Sequence, residues 1–142
     1  MTARIAGIIE PVIDPDAVIF WDGVAAGKLL VPTCIGCGAT FFPPLPCCPR
    51  CQSELIEHVE AAGGARLYSW VVMRRALDPA FVDAVPYVVA AVELDEGARL
   101  FARLVSVDID DAHALRAGML LQLVFVDVDG RPMWAFEPAA EA

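Results

Sequence analysis

Four of the five cysteines are arranged as two Cys-x-x-Cys pairs, at 34–37 and 48–51, and the fifth, Cys47, lies in the ten-residue stretch between them. Two such pairs supply four thiolates at the spacing that a tetrahedral Zn²⁺ site requires. Cys47 could compete with Cys48, but pairing through Cys48 keeps two equal spacers, so Cys47 is interpreted as a spare thiol. The predicted zinc ligands are Cys34, Cys37, Cys48 and Cys51.

Four protein ligands leave no coordination position open for water or substrate, so the predicted zinc is structural rather than catalytic. A ribbon of about thirty residues has too small a core to fold alone, and a bound metal would supply folding free energy. Two other interpretations stay open. Disulfides are disfavoured because the cytosol keeps thiols reduced. An iron centre is harder to exclude, because both motifs also resemble rubredoxin knuckles and thiolates bind iron.

Length and charge limit the architecture and the partners. The 142 residues have room for one compact domain and a small appendage. No signal peptide or transmembrane run is recognised, which predicts a cytoplasmic protein without a membrane role. The net charge is −9 and Lys28 is the only lysine, so the chain lacks the clustered basic face of a nucleic-acid binder. Because 58% of the residues are apolar, we expect an exposed apolar patch and an obligate protein partner; the alternative is an alanine-rich composition with an ordinary surface.

The N-terminal third predicts one helix and the strands of a ribbon. Residues 1–13 show no clear periodicity and are interpreted as an extended or loose tail. Asp14 is a predicted N-cap with Pro15 at the first helical position, and the helix runs to about Ala26. Its apolar stripe docks either on its own chain or on another subunit. The predicted ribbon strands are Lys28–Thr33 and Thr40–Phe42.

From residue 66 onward, runs rich in β-branched and aromatic residues indicate strands. A short helix is predicted over 110–116, before the fourth strand, and the loop 76–85 is a candidate binding loop or lid. Five strands in this order are typical of an OB-fold barrel. The fold is therefore predicted to be mainly β, with a tail and amphipathic helix (1–29), a rubredoxin-like zinc ribbon (30–62) and an OB-fold domain (63–142). The predicted strands are Leu67–Met73, Tyr87–Glu93, Arg99–Val105, Leu120–Asp127 and Arg131–Phe136.

A series of short motifs covers nearly the whole chain beyond about residue 14. The motifs are Phe20-Trp21, Gly27-Lys28-Leu29, the two cysteine pairs, Phe42-Pro43-Pro44, Tyr68-Ser69-Trp70, the run from Pro86 to Leu94, Gly118-Met119 and Phe125-x-Asp127-Val128-Asp129-Gly130. In order and spacing, this series resembles the DUF35 family of zinc-ribbon and OB-fold proteins. The chain departs from the family pattern at Phe136-Glu137-Pro138, where an arginine commonly precedes the proline.

The resemblance implies a non-catalytic partner of a thiolase-like, lipid-transfer-type enzyme, in a hetero-oligomer that handles acyl-CoA in condensation or in retro-aldol cleavage of steroid side chains. By analogy, the helix around Phe20 and Trp21 and the ribbon would contact the partner, and the barrel would face the CoA channel. No catalytic residue is predicted in this chain. Two alternative functions are a nucleic-acid-binding module, since OB-folds bind nucleic acids elsewhere, and a small iron redox protein with a four-cysteine centre.

Acyl-CoA binding requires cations, because CoA carries several phosphate charges that a protein of net charge −9 repels. Arg74, Arg75, Arg99 and Arg103 would converge on phosphates if the barrel closes as predicted. The alternative is that they are ordinary exposed arginines paired with carboxylates. Tyr68 and Trp70 are predicted to share a strand face, either as an adenine platform or as barrel core.

Overall fold

The computed structural model describes residues 4–140. Within this part of the chain, no helix is long and apolar enough to cross a membrane. The elements in chain order are β1 (Arg4–Ile5), a 3-10 turn (Pro15–Ala17), α1 (Val18–Ala25), β2 (Leu30–Cys34), β3 (Ile56–Glu60), β4 (Gly64–Met73), a second 3-10 turn (Pro79–Phe81), β5 (Tyr87–Leu94), β6 (Arg99–Leu104), β7 (Leu120–Val128) and β8 (Arg131–Pro138).

Five strands close into a barrel in the order β4, β5, β6, β8 and β7, because β7 pairs with β4 on one side and with β8 on the other. Every neighbouring pair is antiparallel except β6 and β8. Each predicted barrel strand is present, and its ends differ from the prediction by a few residues at most. The alternation typical of a half-buried strand is clearest in β5, where every second residue is buried. These observations confirm the mainly β fold and the OB-fold barrel.

A bulge in β4 overturns the predicted shared face of Tyr68 and Trp70. The pairing of β4 with β5 shifts register between Leu67 and Ser69. The extra residue reverses the inside-outside alternation beyond it. Tyr68 is therefore exposed, whereas Trp70 packs against the barrel core. The two rings cannot form one stacking platform.

The helix predicted over 110–116 is wrong, because this stretch forms a series of turns. Aspartate side chains explain the difference. Asp108 accepts the backbone N–H of Asp110 at 3.0 Å, and Asp111 accepts that of His113 at 2.9 Å. Such local bonds offer the backbone an alternative to helical hydrogen bonds. The chain thus reaches β7 through turns capped by carboxylates.

The N-terminal helix is confirmed, and its start is capped as predicted. The Asp14 carboxylate accepts the backbone N–H of Ala17 at 3.0 Å. The N-terminal tail is extended at Arg4–Ile5, which pairs in parallel with β7, and residues 6–13 form neither helix nor strand. Met1 to Ala3 lie outside the described residues. The N-terminal segment is therefore part of the sheet.

The ribbon is formed by β2 and β3, which pair from Leu30 with Glu60 to Cys34 with Ile56. The predicted second ribbon strand at 40–42 is reduced to one bridge between Thr33 and Thr40. The helix, the ribbon and the barrel share one core, in which Phe20 and Leu29 pack with barrel residues. This shared core fixes the cysteine pairs relative to the barrel.

Candidate functional site

The four predicted zinc ligands come together at the tip of the ribbon. All four sulfur atoms lie within 4.8 Å of one another. Cys34 Sγ lies 3.5 Å from Cys51 Sγ, and Cys37 Sγ lies 3.6 Å from Cys48 Sγ. A tetrahedron with Zn–S bonds of about 2.3 Å has edges of about 3.8 Å, so the sulfur spacing fits a zinc ion. The buried sulfurs of Cys34 and Cys48 alternate in sequence with the exposed Cys37 and Cys51.

The two cysteine pairs adopt matching turns. Gly38 N–H donates to the carbonyl oxygen of Cys34 at 2.8 Å, and Gln52 N–H donates to that of Cys48 at 2.8 Å. Both donors follow the second cysteine of their pair and have positive φ angles, +76° and +65°. Backbone N–H groups also point at the sulfurs, from Cys37 to Cys34 Sγ and from Arg50 to Cys48 Sγ, both at 3.4 Å. This pseudosymmetry is typical of a ribbon built to hold one metal ion.

The thiols carry a charge pattern that a cation would neutralise. The backbone N–H of Cys37 lowers the pKa of the Cys34 thiol to about 6. The backbone N–H of Ser53 lowers the pKa of the Cys51 thiol, but the neighbouring sulfurs, above all that of Cys34, and burial raise it. The net effect raises the pKa of Cys51 to about 12. The Cys34 sulfur thus disfavours ionisation of Cys51, because negative charges this close repel. A divalent cation would offset this repulsion and allow all four sulfurs to bind as thiolates.

Zinc fits this donor set, and its role here would be structural: it would hold the two turns together and leave no position for a substrate.

The remaining cysteine and the two histidines lie outside the metal site. Cys47 is half-buried and does not belong to the group of four sulfurs. Of the two histidines, His113 is exposed in the turns before β7, and His58 lies half-buried on β3. The buried Nε2 of His58 has no hydrogen-bond partner among residues 4–140. Burial lowers the pKa of His58.

A second feature is a cluster of four aromatic rings where α1, the ribbon and the barrel meet. Phe20 is at its centre, with ring centroids 5.4 Å from Trp21, 5.0 Å from Phe42 and 5.1 Å from Trp134. Trp21 and Trp134 are 5.6 Å apart. All four contacts are edge-to-face, the geometry that aromatic rings prefer. The cluster connects the predicted Phe20-Trp21 pair to β8.

These rings form the floor of an apolar groove of about 630 Å³. Its walls include Val12, Leu45 and Phe101, whose side chains are exposed. Arg99 and Asp14 are the charged residues that line it. The volume lies within the range of ligand pockets, and the lining is mainly apolar as such pockets require. The groove can therefore take an apolar group of a ligand or a side chain of another protein.

The structure separates the two predicted partner-binding residues. Phe20 is 1% exposed, so its ring packs inside the chain and does not reach a partner directly. Trp21 is half-buried and lines the groove, and its part in partner binding stays a prediction. Sequence reasoning missed Phe101 and Trp134. Phe101 could have been found, since alternation with buried Leu100 and Ala102 places it on the outer face of β6.

The four arginines do not converge. Arg99 pairs with Glu93 at 2.5 Å and lies 3.7 Å over the ring of Tyr68. Arg103 is on the same face of β6, roughly 13 Å further along, and donates to the carbonyl oxygens of Ala6 and Gly7. The convergence is wrong because Arg99 and Arg103 occupy opposite ends of one strand, each engaged by its own chain.

Arg74 and Arg75 are exposed just beyond the end of β4. Since Met73 pairs with Tyr87 and Val88 with Leu104, they lie at the Arg103 end of the sheet. Neither is held in an ordered cluster with Arg99. Phosphate contacts by Arg74 and Arg75 stay a prediction.

Two family models match the chain. The rubredoxin-like zinc ribbon domain of ChsH2 matches residues 21–57, and the C-terminal OB-fold domain of ChsH2 matches residues 58–126. A DUF35 domain-containing scaffold protein of Methanothermobacter thermautotrophicus is 38% identical over 93 residues, which are 65% of this chain and 67% of that protein.

Two further comparisons involve proteins that are named for an enzymatic activity. The 3-oxo-4,17-pregnadiene-20-carboxyl-CoA hydratase alpha subunit of Mycobacterium tuberculosis is 30% identical over 131 residues, 92% of this chain. The chain spans only 36% to 40% of the length of the hydratase alpha subunits that it matches. A solved structure described as "Ltp2-ChsH2(DUF35) aldolase" contains a chain that superposes with a TM-score of 0.81 at 36% identity, covering 92% of this chain and 100% of that one.

Proposed function

The chain belongs to the DUF35 family, and from this premise we propose that it is a non-catalytic accessory subunit of a thiolase-like, lipid-transfer-type enzyme. In the proposed complex it assists acyl-CoA binding or channelling. The reaction served is acyl-CoA condensation or retro-aldol cleavage, in lipid or steroid side-chain metabolism. In this complex the reacting groups lie on the partner, and this chain helps to position the acyl-CoA.

One observation carries the proposal: the likeness to a chain of the Ltp2-ChsH2(DUF35) aldolase over its full length. The hydratase alpha subunits are named for acyl-CoA substrates, one of them a steroid-derived carboxyl-CoA, and the archaeal relative is named a scaffold protein. These names support a helper of acyl-CoA chemistry.

The groove supports the choice of a protein partner. It exposes large apolar side chains, including Phe101 at 73%, beside the half-buried Trp21 and Trp134. Interface cores are enriched in aromatic residues and depleted of charge, and tryptophans are frequent binding hot spots. The groove joins α1, the ribbon and the barrel in one surface, so a partner seated there would contact all three parts.

The charge distribution favours a division of labour in acyl-CoA binding. At net charge −9, the chain repels the CoA phosphates at long range, and two of its candidate arginines are engaged internally. We infer that the partner binds most of the CoA. This chain would then border the acyl part of the channel, with Arg74 and Arg75 as its remaining phosphate contacts.

The test is co-expression with a thiolase-like protein encoded beside this chain, followed by acyl-CoA turnover assays on each protein alone and on the pair. Turnover by the pair and by neither protein alone is the expected result, because the catalytic groups and the completed channel lie on different chains. Full turnover by the partner alone would contradict an assisting role. Turnover by this chain alone would contradict a non-catalytic one.

A further inference from the structure

The segment near the N-terminus and the loop between β4 and β5 meet at the side chain of Arg103. Its guanidinium donates two hydrogen bonds of 2.6 Å, from Nη1 to the carbonyl oxygen of Ala6 and from Nη2 to that of Gly7. The same group lies 4.4 Å from the ring centroid of Tyr87 and 5.7 Å from that of Phe81. Arg103 therefore contacts the N-terminal segment and the loop at once.

Gly7 fits into this contact because it has no side chain. Its φ is +97°, and a Cβ there would lie 2.5 Å from Arg103 Nη2 and 2.7 Å from Phe81 Cδ1. On the other side, its backbone N–H donates to Asp129 Oδ2 at 3.2 Å. The buried Gly7 is thus fixed between the barrel turn at Asp129 and the loop at Phe81.

Both segments depend on the same cation. Arg103 is half-buried, and burial lowers its pKa, since a charged group removed from water is disfavoured. Carbonyl oxygens and ring faces replace the lost water. If the N-terminal segment left, the guanidinium would lose both carbonyl acceptors. If the loop left, the guanidinium would lose Phe81.

We propose that Arg103, Gly7 and Phe81 form a latch that fastens residues 4–10 and the loop 76–85 to the barrel, so that the two segments open together. The loop carries Leu77 and Val82, which are 78% and 60% exposed. In OB-folds, the loop between the first two strands is a common ligand-binding element. The latch therefore holds the loop in the position in which these two apolar side chains are exposed.

Hydrogen-deuterium exchange on the full chain, followed by peptide, tests the latch. Arg103→Ala removes both carbonyl bonds, and Gly7→Ala drives a methyl group into the contact. Each variant is expected to accelerate exchange in residues 4–10 and 76–85 together, by about tenfold or more, because bonds to a charged donor are lost. Exchange in the ribbon, residues 30–60, is expected to stay as in the wild type.

Matched controls separate the latch from general destabilisation. Arg99→Ala removes an arginine from the same face of β6, and Gly27→Ala strains a positive φ of +76° where a Cβ has open space. Both are expected to leave exchange in the two segments unchanged. Arg103→Lys keeps the charge but not the fork of donors, and is expected to accelerate both segments less than Arg103→Ala. Acceleration in one segment only, or an equal effect of Arg99→Ala, would overturn the proposal.

Discussion

The indole N–H of Trp134 donates a hydrogen bond to the carbonyl oxygen of Phe101 at 3.0 Å. Strands β6 and β8 pair only at two positions, Arg103 with Ala135 and Leu104 with Phe136. Phe101 and Trp134 lie just before these paired positions, where the two strands are not paired. The first half of β6 pairs with β5 on one side and therefore borders the groove, not β8, on the other. The hydrogen bond from Trp134 to Phe101 connects the two strands here. The Trp134 ring lies in the floor of the groove, and the Phe101 side chain is exposed beside it.

Replacing Phe101 with aspartate is expected to weaken the proposed complex without unfolding the chain. The side chain is 73% exposed, so the change costs little core packing, while a carboxylate in an apolar interface core is unfavourable. Affinity for the co-expressed thiolase-like partner, measured by titration calorimetry, is expected to fall by about tenfold or more.

Val71→Asp is the control for this change, because Val71 is also on an outward-facing strand position and is 55% exposed, but lies outside the groove. It is expected to leave the affinity within about twofold of the wild type. Equal losses for the two variants would mean that the groove is not the partner surface.

Metal content distinguishes the roles of the adjacent cysteines. Cys48→Ser is expected to lower bound zinc from about one ion per chain and to unfold the ribbon, because a structural metal contributes folding free energy. Cys47→Ser is expected to keep the full zinc content, since Cys47 lies outside the four-sulfur group. Metal analysis with the thermal unfolding curve of each variant measures both effects. Iron in place of zinc, or a loss of metal in Cys47→Ser, would contradict this assignment.

The adjacent residues Phe20 and Trp21 are expected to have different roles: Phe20 stabilises the fold, and Trp21 contributes mainly to partner affinity. Phe20→Ala removes a ring that is 1% exposed and is expected to lower the free energy of unfolding by about 3–5 kcal/mol. Trp21 is half-buried at the groove, so Trp21→Ala is expected to cost less stability and more partner affinity. Chemical denaturation and calorimetry on both variants measure the two quantities. If Phe20→Ala lost more partner affinity than Trp21→Ala while its free energy of unfolding stayed unchanged, both assignments would be contradicted.

His58 predicts a pH dependence of stability. Burial lowers its pKa in the folded chain, so the unfolded state binds more protons below about pH 6.5, the ordinary value of histidine. The contribution of neutral His58 is therefore complete above that pH and declines as the pH falls through it. His58→Gln is expected to lose less stability between pH 7 and pH 5 than the wild type. A His113→Gln control with an equally flattened profile would contradict the assignment to His58.

Local patterns in the sequence predicted the elements that depend on neighbouring residues. The doubled Cys-x-x-Cys spacing predicted the sulfur cluster, Asp14-Pro15 predicted the helix start, and runs rich in β-branched and aromatic residues predicted the five barrel strands. Each of these signals is complete within a few residues. They were sufficient for the fold and for the metal ligands.

Features that depend on distant residues could not be predicted in this way. The bulge beside Tyr68 depends on the pairing of β4 with β5, and the position of Trp134 depends on the parallel pairing of β8 with β6. The strand Arg4–Ile5 is too short for a sequence pattern and forms because β7 offers it an edge. The arginine convergence failed for the same reason, since the partners of Arg103 are 96 and 97 positions away in sequence.

The most direct test of the central claim is the mass and metal content of the purified pair, measured by native mass spectrometry after co-expression with the neighbouring thiolase-like protein. The account predicts a stable hetero-oligomer that contains both chains and about one zinc ion for each copy of this chain. Recovery of this chain alone, with no mass that contains both proteins, would contradict the accessory-subunit account.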